Sequence, residues 1–117
     1  MKISEMKELL CAEILCGEEL ENSEVNYGFG SDLMSDVLAY VNGRTVLLTG
    51  LINTQVIRTA EMADLTAIIF VRGKKPEQDL INLAMENNIV LMLTKDTMYT
   101  ASGKLYSSGL QGIQIDC

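Results

Sequence analysis

The chain has 117 residues, of which 48% are hydrophobic and 21% charged, and its net charge is −7. A chain of this size can bury roughly two thirds of its unfolded surface, so it needs neither disulfides nor a metal ion to fold. The acidic balance, with no Lys- or Arg-rich window, disfavours nucleic acid as a partner. No apolar run approaches the roughly 20 residues of a membrane span, so we expect a cytoplasmic protein with no membrane partner.

The chain has no His and three Cys. We predict that Cys11, Cys16 and Cys117 are buried free thiols in a reducing compartment, since their spacing fits no structural zinc site. Without His the chain lacks the usual general base of a nucleophilic triad, and it has no P-loop motif. We therefore expect no metal, no cofactor and no catalytic residues, which favours a binding protein over an enzyme.

Apolar runs and amphipathic segments alternate along the chain. In chain order the predicted elements are a helix over 5–10, strands over 12–17 and 25–30, a helix over 31–41, a strand over 45–50, a helix over 54–65, a strand over 66–71, a helix over 76–88, a strand over 89–94 and a helix over 96–110. Ser31 or Asp32 is the expected cap of the helix over 31–41, and Thr54 caps the next. Residues Gln111 to Cys117 are predicted as an edge strand or a loose tail.

The central strands indicate the fold class. The runs TVLLTG, TAIIFV and IVLML are mainly apolar, and TAIIFV is apolar as a central strand covered on both faces should be. Their alternation with helices predicts consecutive β-α-β units joined by right-handed crossovers. We predict an α/β fold: a single-domain three-layer α/β/α sandwich over residues 1–117, with a mostly parallel sheet of four or five strands.

In such sheets ligands bind beyond the carboxyl ends of the strands. Here those ends carry cationic side chains, Gly-containing loops and helix N-termini, which together suit a phosphate or carboxylate. The alternative is that these loops are polar and rich in Gly only because nearly every fold of this class has such loops. The predicted ligand-binding residues are Ser31, Asp32, Thr49, Gly50, Asn53, Thr54, Arg72, Gly73, Lys74 and Thr94.

Two carboxylates at helical spacing are a second candidate. Asp32 and Asp36 lie four residues apart on a predicted helix, where a pair could bind a divalent ion or act as acid and base. The alternative is a helix cap and a solvated face.

Several short motifs, in this order and spacing, resemble small stand-alone DRTGG-domain proteins. The motifs are GSDLMSDVLA at 30–39, VIRTAEMADL at 56–65, IIFVRG at 68–73 with Pro76, GKLY at 103–106, and Gly109-Leu110. The family is similar to the N-terminal domain of HPr kinase/phosphorylase and to the inserts of CBS-containing pyrophosphatases. The string that gives the family its name is absent here, with Thr49-Gly50 and Arg72-Gly73 as partial matches. The resemblance implies an α/β/α regulatory or assembly module that pairs with a second copy, without a settled catalytic activity.

Two functions follow as hypotheses. The first is a non-catalytic regulatory module, a homodimer that senses a nucleotide or small anionic metabolite at the strand ends and signals to a protein partner. The second is a small enzyme acting on a phosphorylated substrate, with Asp32 or Asp36 as acid and base and with Arg72 and Lys74 holding the phosphate.

Overall fold

The computed structural model describes residues 1–115, which form a six-stranded sheet between two layers of helices. The helices are α1 (Ile3–Leu9), α2 (Met34–Tyr40), α3 (Thr54–Met62), α4 (Gln78–Glu86) and α5 (Met98–Ser107), with a 3-10 turn at Glu18–Leu20. The strands are β1 (Glu13–Cys16), β2 (Tyr27–Gly30), β3 (Thr45–Thr49), β4 (Ala67–Phe70), β5 (Val90–Leu93) and β6 (Gln111–Gly112).

The strand order is β1-β5-β4-β3-β2-β6, and β1 alone among these strands runs antiparallel to its neighbour. This confirms the predicted α/β/α sandwich with a mostly parallel sheet. The sheet is slightly larger than the predicted four or five strands, because both short edge strands, β1 and β6, pair with it. Gln111 and Gly112, from the segment predicted as an edge strand or tail, form β6 beside Tyr27 and Gly28; residues 116 and 117 lie outside the described part of the chain.

The two faces of the sheet are covered unequally. Helices α2, α3 and α4 cover one face, which we call the three-helix face, and α1 and α5 cover the other, the two-helix face. Side chains of β4 alternate between them, with Ile68 and Phe70 in the first core and Ala67 and Ile69 in the second. Burial on both faces explains why the central strands read as continuous apolar runs.

Helix starts and cysteine burial differ from the sequence-based expectations. Helix α2 has Leu33 as its N-cap and α3 has Asn53, so none of Ser31, Asp32 and Thr54 is a cap. Cys16 is buried as predicted, whereas Cys11 is exposed in the turn after α1; both are free thiols. Within residues 1–115, no helix combines the length and apolar character needed to cross a membrane.

Candidate functional site

Asp32 joins the ends of two neighbouring strands. The Thr49 hydroxyl and the Gly50 N–H both donate to Asp32 Oδ1, at 2.9 and 2.7 Å. Because β2 and β3 are parallel, their carboxyl ends lie at one edge of the sheet, and the residues following them can meet there. We call this edge, with the loops after β2, β3, β4 and β5, the carboxyl edge. Asp32 is exposed, and both of these hydrogen bonds use the same carboxylate oxygen.

Arg72 brings a cation to the same place. A Cβ placed on Gly50 would lie 2.5 Å from a guanidinium nitrogen of Arg72, so the guanidinium packs directly over the Gly50 backbone. Arg72 also has a left-handed backbone, with φ of 62°, which is uncommon for a residue with a side chain. The turn that holds this φ is fixed by two bonds: Arg72 N–H donates to the Asp96 carbonyl at 2.8 Å, and Gly73 N–H to the Thr94 carbonyl at 2.9 Å.

Further cations follow β4 and β5. Lys74 and Lys75 are exposed in the loop after β4, and the Lys95 side chain lies beside Gly73. The salt bridges among residues 1–115 are the Met1 terminus with Glu24 and Lys104 with Asp96. None of Arg72, Lys74, Lys75 and Lys95 is therefore paired with a carboxylate in the described part of the chain. A molecule with a net charge of −7 thus carries an exposed group of uncompensated cations at its carboxyl edge.

The backbone amides expected to assist an anion are mostly occupied. The Gly50 amide donates to Asp32, the Leu51 amide to the Thr49 hydroxyl, and the amides of Arg72 and Gly73 to carbonyls of the next loop. The helix starts are the exception, because the N-caps of α2, α3, α4 and α5 make no side-chain capping bond. An anion at this edge would be held mainly by side chains, with the first turns of these helices as the available backbone donors.

The other predicted residues are placed in different ways. Thr94 is 1% exposed, and its hydroxyl donates to the Leu10 carbonyl and accepts from the Asp96 amide. Ser31 is engaged in its own turn, where its hydroxyl accepts from the Leu33 amide. Asn53 and Thr54 lie where α3 begins, and Gly73 and Lys74 lie in the exposed loop after β4. The structure thus brings Asp32, Thr49, Gly50 and Arg72 together and turns Thr94 inward.

The predicted placement of Asp32 and Asp36 on one helix is wrong. Asp32 precedes α2, while Asp36 lies inside it, so the two do not share a helix face. Within residues 1–115 there is no group of three or more His, Cys, Asp or Glu that could hold a metal ion.

A concave groove lies away from the carboxyl edge, and it was not predicted from the sequence. A groove of about 690 Å³ lies between α5 and the neighbouring strands β2 and β6, and none of the ten predicted residues lines it. Its lining includes four glycines, Gly28, Gly30, Gly103 and Gly112, whose repeated absence of side chains was the available signal. A second hollow of about 380 Å³ lies beside β1 and is lined by Cys16 and Glu19 among others.

Comparisons with known proteins agree with this architecture. A family model described as the DRTGG domain matches residues 5–108. Among matching solved structures is that of the CBS and DRTGG domains of the regulatory region of Clostridium perfringens pyrophosphatase, complexed with the activator diadenosine tetraphosphate. The two share 18% identity with a TM-score of 0.73, over 92% of this chain and 46% of the other, so this chain spans about half of that structure. No curated protein sequence matches the chain.

Proposed function

The chain belongs to the DRTGG domain family, and from that premise we propose that it is a non-catalytic regulatory module. In this proposal residues 1–117 form one such domain, which pairs with a second copy, binds a nucleotide or small anionic metabolite at the carboxyl edge and signals to a protein partner. The similar pyrophosphatase region is complexed with a nucleotide activator, which supports a regulatory role and a nucleotide as ligand.

The observation that carries the proposal is the unpaired cation group beside Asp32. Arg72 packs over Gly50, whose amide donates to Asp32, so a cation and a carboxylate acceptor lie close together on exposed loops. A bare phosphate would gain from Arg72 but would be repelled by Asp32. A nucleotide has phosphates for the cations and hydroxyl or amino donors for the carboxylate, so it matches both groups.

The enzymatic alternative has less support. It requires Asp32 or Asp36 as acid and base, yet Asp36 lies within α2 and one oxygen of Asp32 is already occupied by two hydrogen bonds.

We also propose the cytoplasm as the location of the protein, because Cys11 and Cys16 are free and Cys11 is exposed.

Thermal unfolding against a set of probes tests the ligand part. The probes are ATP, ADP, diadenosine tetraphosphate and inorganic phosphate, each with and without magnesium. A nucleotide at 100 times its dissociation constant should add about 2.7 kcal/mol to the free energy of unfolding, which raises Tm by several degrees. Inorganic phosphate should give a smaller shift because of Asp32.

Arg72→Asn locates the site, because Asn tolerates the left-handed backbone that Arg72 adopts. Losing charge-assisted hydrogen bonds should weaken nucleotide binding by roughly 10- to 100-fold. Arg44→Asn is the matched control, since Arg44 precedes β3 and lies at the opposite edge of the sheet. Equal Tm shifts in both variants would move the site away from the carboxyl edge, and no shift with any probe would remove the nucleotide-sensing role.

A further inference from the structure

The two-helix face of the sheet has one helix fewer than the opposite face, and the groove marks the gap. Helix α5 packs over β2 and β3 and α1 packs beside it, while the outer edge of this face, over β6, carries no helix among the described residues. The 690 Å³ groove occupies that position, with Ser102 and Tyr106 of α5 on one wall and Gly112 of β6 on the other side. It therefore lies where a further helix of this layer would pack.

At two positions that border the groove, the fold of one copy does not require the glycine that is present. Neither Gly103 nor Gly112 has a left-handed backbone, and a Cβ on either would meet no atom within 4 Å. A glycine inside a helix costs stability relative to Ala, and in a strand it often marks the close approach of another backbone. By contrast, Gly28 allows Leu110 to pack closely, which its own fold explains.

Two tyrosines flank Gly103 on the outer side of α5. Tyr99 is 89% exposed and Tyr106 is 63% exposed. Positions 99, 103 and 106 follow the spacing of one helix face. The helix therefore presents two tyrosine rings, with the Gly103 position between them lacking a side chain, toward the groove and solvent. Exposed tyrosines at the centre of a surface with few charges are typical of protein interfaces.

The distribution of acidic residues indicates which molecule binds in the groove. No Asp or Glu occurs from Thr97 to Ile115, although the chain has 16 acidic residues and a net charge of −7. Lys104 is the one charged side chain in that segment, and it is paired with Asp96 at 2.8 Å. Among the five helices, α5 alone has no acidic residue. Two copies that meet through α5 therefore bring no Asp or Glu of this segment together, although the molecule is acidic.

We propose that the groove receives α5 of a second copy, with the two α5 helices crossing antiparallel at Gly103 about a two-fold axis. This rests on the homodimer of the proposed function and assigns its surface. The arrangement is self-complementary: Tyr99 of one copy faces Tyr106 of the other, and the two Gly103 residues allow the helices to approach closely. Such an isologous contact closes at two copies, and each copy fills the helix gap of the other.

Light scattering tests the surface. At tens of micromolar, the wild-type chain of 12.9 kDa should have twice that mass. Tyr106→Glu buries a carboxylate at the contact and should give the monomer mass, while Met62→Glu, which changes a 68% exposed side chain of α3 on the other face, should stay dimeric. Both side chains are exposed, so the fold should be retained, and circular dichroism verifies this.

Mixing two variants tests the antiparallel arrangement. Tyr99→Glu and Tyr106→Lys should each be largely monomeric, and their mixture should form heterodimers because Glu at 99 faces Lys at 106 of the other copy. Native mass spectrometry measures the heterodimer fraction. Mixing Tyr99→Glu with Met62→Lys is the control and should give no recovery.

The outcomes separate this surface from the homodimer itself. A monomeric wild-type chain would overturn both. A dimeric wild type whose mass is unchanged by Tyr106→Glu would overturn the α5 surface and leave the homodimer standing. Dimers disrupted by Tyr106→Glu without recovery in the mixture would overturn the antiparallel crossing.

Discussion

The Thr94 side chain lies in the core although it ends a strand at the carboxyl edge. Its hydroxyl donates to the Leu10 carbonyl at 2.9 Å and accepts from the Asp96 amide at 3.2 Å. Thr94→Val keeps the shape and leaves both partners without a bond, so we expect a loss of about 1–3 kcal/mol in the free energy of unfolding, measured by urea denaturation. Nucleotide affinity should change little. Ser35→Ala, at an exposed position of α2, is the control and should stay within about 0.5 kcal/mol of wild type.

Cys16 gives the molecule a pH-dependent stability in the alkaline range. Burial raises the pKa of the Cys16 thiol, and Glu19 adds to the effect against an opposing backbone hydrogen bond at Leu91. The folded state therefore keeps a proton that the unfolded chain releases above the ordinary thiol pKa of about 8.5. Unfolding then releases a proton, so this contribution is fully present below that pH and declines as pH rises through the folded-state pKa.

Urea denaturation between neutral pH and pH of about 10 measures this effect. We expect the free energy of unfolding to fall less steeply with pH in Cys16→Ala than in the wild type. Cys11→Ser is the matched control, because Cys11 is exposed, and should retain the wild-type slope. Equal slopes in all three proteins would show that the thiol of Cys16 does not contribute.

At the scale of elements, Gly103 makes α5 less stable than Ala at the same position would. Gly103 lies inside this helix with open space where a Cβ would be, so Gly103→Ala should raise the free energy of unfolding of the monomer by about 1 kcal/mol. Gly17→Ala is the opposite case, because Gly17 has φ of 86° and its Cβ would lie 3.0 Å from the Val90 backbone. We expect Gly17→Ala to destabilise by more than about 1 kcal/mol. Thermal unfolding in dilute solution measures both.

The elements show what sequence periodicity can and cannot predict. The strands β3, β4 and β5 are identifiable because burial on both faces makes their runs predominantly apolar. The helix N-caps are harder to predict from the sequence, because the carboxylate of Asp32 bonds to Thr49 and Gly50, 17 and 18 residues away, instead of capping α2. The groove follows from strand order, because β6 returns to pair with β2 and leaves α5 without a neighbour on that side.

At the scale of the whole molecule, the carboxyl edge and α5 are physically connected. The Asp96 carbonyl accepts a hydrogen bond from the Arg72 amide, and the Asp96 carboxylate pairs with Lys104 in the last turn of α5, both at 2.8 Å. A ligand that holds Arg72 in one position thereby also acts on the start of the helix that we propose as the dimer contact. A regulatory module needs such a link, since a ligand shifts an equilibrium only through a difference in its affinity for the two states.

We therefore expect nucleotide binding to change the dimer dissociation constant by a factor that differs from one. Linkage then requires dimerisation to change the nucleotide dissociation constant by the same factor. The ratio of nucleotide dissociation constants for monomer and dimer should equal the ratio of dimer dissociation constants without and with nucleotide, and titration calorimetry with sedimentation measures the two. Lys104→Met breaks the ion pair with Asp96 and should bring this factor toward one while the monomer's nucleotide affinity is retained. Lys7→Met, an exposed change in α1, should leave the factor unchanged. A factor equal in wild type and Lys104→Met would mean that the Asp96–Lys104 pair carries no coupling between the two surfaces.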